Sequence, residues 1–469
     1  MDDESSAWAC EAFRRGPYSD ARHGVRVQRM AALAALKPAG HILDVFQTSA
    51  DRQGAYDLLE NPKVTSEQVV QSMGAATAGA VSDHGRVFVV IDGTSVSVTD
   101  RTKNKGLGAV GSSNMGVQGL KVVNAYALAS DGTPLGLLDQ QWWARARYKR
   151  RQDHQTRSVQ HRETQHWLDC LEAVGERLAA SAQSTRAWFV VDREGDGLDM
   201  LLAARSTGHP FTIRSNANRC ISLSKGCRKL SERIDQCPFW EESELRVPGS
   251  AGRAARVARL RVRACNVTLR MRPKPSGPMR LLSVNVVDVL ECGTTPEGEK
   301  PLHWRLLTNA PIHTASLRAE VIRSYTLRWS IEVLHRTWKS GACCIEETQL
   351  RSREAVIKWG AIMIAVASRI ERIKRRGREE PELPASVEFT DYEIKAIVML
   401  KRKHKKSTET IPNSMPTLAQ AVWWMAELGG YTGKSSGGPP GSITIQRGYD
   451  YIRPFADGLE QLEIEGRLR

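Results

Sequence analysis

RVFVVID at residues 86–92 and AWFVVD at residues 187–192 are the two runs on which the fold turns. Each is a near-continuous β-branched and apolar stretch ending in aspartate, the mark of a strand buried on both faces. Alternation over Thr94–Thr99 predicts a second strand after the first, and Gly119–Leu128 predicts a third. Between the two runs, a polar, basic segment from Ala144 to Glu163 leads into a predicted helix over Gln165–Ala179, and another helix begins near Gly197. Strands interleaved with helices define an α/β domain.

Outward from this centre the pattern changes twice. Residues before about 77 read as short helices: Val25–Leu36 is basic and closes at Pro38-Ala39-Gly40, and Thr65 with Gln68 forms a capping-box pattern. From Phe211 to about Leu307 the helical pattern vanishes, and short alternating runs such as ARVARLRVRA from Ala255 predict antiparallel strands, a β insertion. Helices resume at Ala315. Beyond Arg372 the chain is very basic, offers one apolar helix over Thr417–Leu428 ended by Gly429-Gly430, and then a Gly/Ser/Pro linker at 432–441. The organisation expected is a helical N-terminal domain at 1–77, a core at 78–214, the β insertion at 215–307, a second core part at 308–375 and a helical C-terminal region at 376–469.

Composition narrows the partners. The 469 residues carry 67 Lys+Arg against 52 Asp+Glu, a formal net charge of +15 spread along the chain. Such a surface suits a polyphosphate, because neutralising phosphates releases condensed counterions. The greasiest segment, Ala355–Ile370, is interrupted by Lys358 and Arg369 and reads as a buried helix, not a membrane span. The N-terminus has no signal-peptide pattern, so the cytoplasm is expected. Nine cysteines in a chain this large call for no disulfides, and their spacing matches no compact zinc pattern.

The chemistry gathers on a predicted helix over 325–339. Tyr325, Arg328, Glu332 and Lys339 follow one another at three, four and seven residues, and at about 100° per residue they share a stripe of about 60°. Leu327, Ile331, Leu334 and Trp338 form an apolar seam on the other side. A hydroxyl, two cations and a carboxylate therefore project together. Alone, that stripe more commonly marks a solvated charged face with an incidental Glu–Arg pair, and a strand-end aspartate such as Asp92 or Asp192 is commonly a turn residue. Taken together, three carboxylates are oxygen ligands of the kind Mg²⁺ or Mn²⁺ prefers. Two such ions about 3.5–4 Å apart drive in-line phosphoryl transfer.

Here the sequence resembles a family, the DDE transposases of bacterial insertion sequences, in the subgroup marked by Tyr-x2-Arg-x3-Glu-x6-Lys that includes the transposase of transposon five. The stretch Tyr325-TLRWSIEVLHRTW-Lys339 matches that signature at every spacing, and IDGTSVS from Ile91 and VVDREGDG from Val190 resemble the two aspartate motifs. The likeness extends to QGAYDLLENP from Gln53, QWW from Gln141 and PLHWRLLTN from Pro301. It implies a ribonuclease-H-like catalytic core with an all-β insertion, flanked by a helical N-terminal DNA-binding domain and a helical C-terminal dimerisation region. It implies that Asp92, Asp192 and Glu332 are catalytic and hold two Mg²⁺ or Mn²⁺ ions. Tyr325, Arg328 and Lys339 would contact phosphates of the transposon end, and Trp304 would stack a flipped base, although a core Trp is the ordinary reading of that residue. Arg214 is a further phosphate candidate. The partners implied are double-stranded DNA (terminal inverted repeats and target) and a second copy in a synaptic homodimer, working at the bacterial nucleoid. A DNA-binding relative that does not transpose, or a metal-dependent nuclease, shares much of this sequence logic. The end-reading element of the N-terminal region is matched only at Asp20 and Arg22, and residues from about 376 match poorly.

Overall fold

A computed structural model of the chain describes residues 3–111, 116–145, 163–247, 255–273, 277–404, 411, 414–433 and 439–467, with side chains from residue 7. Five helices come first: α1 (Asp3–Phe13), α2 (Ala21–Leu36), α3 (Ile42–Val45), α4 (Ser49–Glu60) and α5 (Ser66–Ser82). Their starts are set by side-chain caps. Thr65 and Gln68 form the reciprocal capping box on α5, and the Thr48 hydroxyl accepts from the Asp51 N–H on α4. Asp20 caps α2 by accepting from the Arg22 N–H, and its carboxylate also receives the Arg22 guanidinium at 2.7 Å. That pair is a local helix cap.

A mixed α/β arrangement follows. The strands are β1 (Arg86–Ser97), β2 (Gly108–Ala109), β3 (Gln118–Ala129), β4 (Pro134–Trp143), then α6 (Thr164–Ser181), β5 (Arg186–Val191), α7 (Leu198–Ser206) and β6 (Phe211–Arg214). Next come β7 (Cys220–Ser224), β8 (Cys227–Lys229), the six-residue α8 (Leu230–Asp235), β9 (Glu241–Val247), β10 (Arg256–Met271), β11 (Arg280–Cys292) and β12 (His303–Thr308). The sheet runs β2-β3-β1-β5-β6-β12-β11-β10-β7-β8, with β4 on β3 and β9 on β10. Strands β1, β5 and β6 are parallel, and β3 and β4 form an antiparallel meander beside them. The antiparallel strands expected after Phe211 are joined to the rest through β12, whose Leu306 pairs with Arg214 of β6. One sheet therefore spans core and insertion, and each face carries one apolar layer: Phe88 and Val90 share theirs with Val262 and Val289, while Val87 and Ile91 share theirs with Val267 and Val284.

Two readings at this level need correction. Thr94–Thr99 is no separate strand, because β1 runs unbroken from Arg86 to Ser97, so Asp92 stands inside a strand and does not end one. Its neighbours Gly93–Ser95 remain in register with Val123–Lys121 of β3, which supplies the ladder bonds that a turn would have lacked. The 325–339 helix is likewise two segments, α9 (Ala315–Leu327) and α10 (Trp329–Lys339), meeting at Arg328. Arg328 keeps helical torsions (φ −52°, ψ −34°), so the one-sided stripe survives the junction.

Helix α11 (Arg353–Glu379) covers one sheet face and is buried from Ala355 to Glu371. Lys358 tolerates that burial because its ammonium donates to the Leu59 and Asn61 carbonyls, both at 2.9 Å, and Arg369 lies over the Trp8 ring. Among the described residues no helix is long and apolar enough to cross a membrane. Helices α12 (Asp391–His404), α13 (Leu418–Leu428) and α14 (Ser442–Ile464) form a third core around Phe389, Met425 and Ile452, reaching Leu36 of α2 and Ile373 of α11. All nine cysteines are free thiols. Most of the polar segment before α6 and half of the 432–441 linker lie outside the described residues.

Candidate functional site

Three elements of unrelated sequence position converge on one guanidinium. Asp92 projects from the middle of β1, and Asp192 follows directly after β5, the parallel neighbour of β1. Glu332 stands one turn into α10, whose Ile331, Leu334 and Trp338 are fully buried against the sheet. That seam turns Arg328 and Glu332 toward Asp92 inside β1 and Asp192 just after β5. Arg328 Nη1 then lies 3.5 Å from Asp92 Oδ2 and 3.9 Å from Asp192 Oδ2, and its Nη2 donates to Glu332 Oε1.

The remaining candidates surround this centre unequally. The Tyr325 hydroxyl donates to Asp192 Oδ1 at 2.8 Å, and Arg214 Nη1 donates to the Tyr325 oxygen at 3.3 Å while standing 4.0 Å from Asp192. Trp304, half-buried on β12, meets the Tyr325 ring edge to face with centroids 5.2 Å apart. Lys339 is turned elsewhere: it pairs with Glu346 at 3.5 Å, and Glu346 also accepts the Ser97 N–H at the end of β1. Asp92, Asp192, Glu332, Tyr325, Arg328, Arg214 and Trp304 thus share one neighbourhood, and Lys339 flanks it.

Electrostatics separates the two aspartates. Burial pushes the Asp92 carboxyl up to about 7, with Arg328 and the Gly93 N–H opposing and the charges of Asp192 and Glu332 adding to the rise. At Asp192 burial acts in the same direction but is outweighed by Arg328, the Arg193 N–H, the Tyr325 hydroxyl and Arg214, so its carboxyl lies below the usual range. Burial, then the Asp192 charge, raises the Tyr325 hydroxyl to about 12, which keeps it a donor. Among the described residues, no three His, Cys, Asp or Glu side chains stand grouped as a metal site. Arg328 bridges the three acids instead. The donor set nonetheless fits a hard divalent cation: three carboxylates against the two guanidinium groups of Arg328 and Arg214 leave an excess of negative oxygen atoms.

Sequence reasoning missed the support behind these groups. Asn124 of β3 pairs in register with Asp92, and Gln140 of β4 pairs with Asn124. Gln140 Nε2 donates to Asn124 Oδ1 at 2.6 Å, and Asn124 Nδ2 lies 2.9 Å from His335 Nε2, three residues beyond Glu332. An asparagine inside the apolar run KVVNAYALA was the available signal.

With this geometry in place, comparison with protein families gives a match in the C-terminal part of the chain. Residues 365–463 match the model described as Transposase Tn5 dimerisation domain. The match covers the end of α11 and the helices that form the third core, a region outside the carboxylate and signature motifs. It supports a transposase-family protein.

Proposed function

We propose that this chain is a DNA transposase of the DDE type, acting as a homodimer through its C-terminal helices on double-stranded DNA. The observation that carries the reading is the convergence of Asp92, Asp192 and Glu332, from three separated elements, onto Arg328. The dimerisation-domain match at 365–463 supports the family and the homodimer. A ribonuclease-H-like core is supported by the parallel β1, β5 and β6 beside the β3–β4 meander, with Asp92 inside β1 and Asp192 directly after its parallel neighbour β5.

In this reading Asp92, Asp192 and Glu332 hold two Mg²⁺ or Mn²⁺ ions, which when bound activate the attacking oxygen and stabilise the leaving one. Arg328, Tyr325 and Arg214 bind DNA phosphates beside the acids. Arg and a neutral tyrosine hydroxyl suit that task, the first as a planar fork and the second as a donor that its raised ionisation keeps protonated. Lys339 anchors the backbone further along the helix. Trp304 offers an aromatic face for a base drawn out of the duplex, an interaction worth about 1–3 kcal/mol per base. Together these groups serve nicking at the transposon end, hairpin formation and resolution, and joining of the 3′-hydroxyl to target DNA, in the bacterial cytoplasm at the nucleoid.

The test is direct. Purified full-length protein is incubated with Mg²⁺ and a duplex carrying the inverted repeats that flank its own gene, and products are resolved on a denaturing gel. A nick at the repeat boundary followed by a hairpin is expected. Binding without any cleavage in Mg²⁺ or Mn²⁺ would leave a DNA-binding relative, and cleavage without hairpin or joined product would leave a nuclease.

A further inference from the structure

Behind the acidic cluster, β1, β3 and β4 place Asp92, Asn124 and Gln140 side by side in register. Directly paired residues point to the same face of a sheet, so all three face the side on which α10 packs. The last two are buried, Asn124 fully and Gln140 to 4% exposure, and His335 is 7% exposed. Burying an imidazole and two carboxamides between α10 and the strands costs free energy that an apolar trio would avoid. The hydrogen bonds have one consistent direction. Gln140 donates to Asn124, whose oxygen is thereby taken, so Asn124 offers His335 its N–H and the imidazole Nε2 must accept. Burial, reinforced by the nearby charges of Lys339 and Arg328, holds the imidazole neutral, as that acceptor role requires.

We propose that Gln140, Asn124 and His335 form a positioning chain that fixes the turn of α10 carrying Glu332 against the strand carrying Asp92, and so sets the spacing of the two acids in the site. Apolar packing along Ile331, Leu334 and Trp338 presses α10 onto the sheet but resists rotation and sliding weakly, because dispersion contacts are non-directional. A hydrogen bond at 2.9 Å from the strand next to Asp92 to the residue one turn past Glu332 is directional and restrains both movements. Misplacement of about 1 Å at a catalytic group costs on the order of a hundredfold in rate. His335, Asn124 and Gln140 are therefore positioning residues; none touches the reacting atoms.

This inference rests on the transposase reading, and the experiment separates the two. Mn²⁺ binding to the full-length protein is followed by calorimetry, and nicking of a supercoiled plasmid that carries the inverted repeats flanking its own gene is followed as a function of Mn²⁺ concentration. The proteins compared are wild type, Asp92→Ala, His335→Leu, His335→Gln, Asn124→Leu and Gln140→Leu. Wild type that neither binds Mn²⁺ nor nicks overturns the functional reading and the inference with it. With an active wild type, His335→Leu should raise the half-saturating Mn²⁺ concentration about tenfold and lower the maximal rate. His335→Gln, which keeps an acceptor oxygen on a side chain of similar reach, should recover to within about threefold of wild type. Asn124→Leu should follow His335→Leu, and Gln140→Leu, one link further away, should show a smaller effect of about threefold. If His335→Leu does not fold, the Asn124 and Gln140 variants carry the same comparison. Folded variants with wild-type Mn²⁺ dependence, or a His335→Gln protein no better than His335→Leu, overturn the inference.

Discussion

Replacing Arg328 by Met is the perturbation that distinguishes a metal-binding acidic cluster from a structural ion-pair network. The guanidinium stands 3.5 Å from Asp92 and 3.9 Å from Asp192, with side-chain exposures of 10%, 15% and 20%, respectively. At an effective dielectric constant of about 20, each contact contributes roughly 4–5 kcal/mol of attraction before desolvation is counted. Removing one partner of such a buried arrangement typically costs about 3–5 kcal/mol, because the acids are left uncompensated. Glu332, a third exposed, adds about 1 kcal/mol or less. Protonation of Asp92 limits the loss. Its carboxyl is already pushed up to about 7 by burial, and a group raised in the folded state withdraws stability as pH climbs from its unfolded value through that folded one. The penalty should therefore be smaller at pH 5.5 than at pH 8. Denaturant unfolding at pH 8 without metal should show Arg328→Met about 3–5 kcal/mol less stable than wild type, and millimolar Mn²⁺ should restore at least half of that loss while changing wild type less. A variant as stable as wild type without metal, or a destabilised one that Mn²⁺ does not rescue, would refute the reasoning.

Asp92→Asn, Asp192→Asn and Glu332→Gln should each abolish strand cleavage while duplex binding, measured by gel shift, stays within a few fold of wild type; near-normal cleavage in any of them removes that residue from the catalytic set. Trp304→Ala should spare the first nick and impair hairpin formation. Because its ring is half-buried against Tyr325, it should also lower stability by about 1–2 kcal/mol, less than the 3–5 kcal/mol of a fully buried Trp; equal loss of every step would argue for a purely structural ring. His335, held down to about 3 by burial, should make the fold lose stability as pH falls below about 6.5, since only the unfolded imidazole gains a proton in that range. The loss should reach about 2–3 kcal/mol by pH 4.5, and His335→Gln should flatten this part of the pH–stability curve. DNA affinity should fall with salt by about 0.9 log units per phosphate contact for each log unit of salt, and a flat dependence would assign the +15 charge another role.

Local sequence determined a good deal about this protein. The apolar runs ending at Asp92 and Asp192 specify strands buried on both faces, and the seam from Ile331 to Trp338 specifies which side of α10 meets the sheet, since each periodicity has only one orientation that removes the apolar side chains from water. The Thr65–Gln68 capping box was equally readable, because all its partners lie within one helical turn. What only the tertiary structure decided depends on pairing between distant segments. Whether β1 stops at Asp92 or continues to Ser97 is set by the ladder it finds on β3, and the joining of core and insertion into one sheet is set by the pairing of β12 with β6. Lys339 sits at the signature spacing but turns to Glu346, a partner supplied by the chain beyond α10. Asn124 stands out inside its apolar run, but it joins Gln140 and His335 in one hydrogen-bonded chain only when two strands and a helix meet. Spacing along the chain fixes direction within an element, but contacts between elements depend on how the whole apolar surface closes, and no local pattern encodes that.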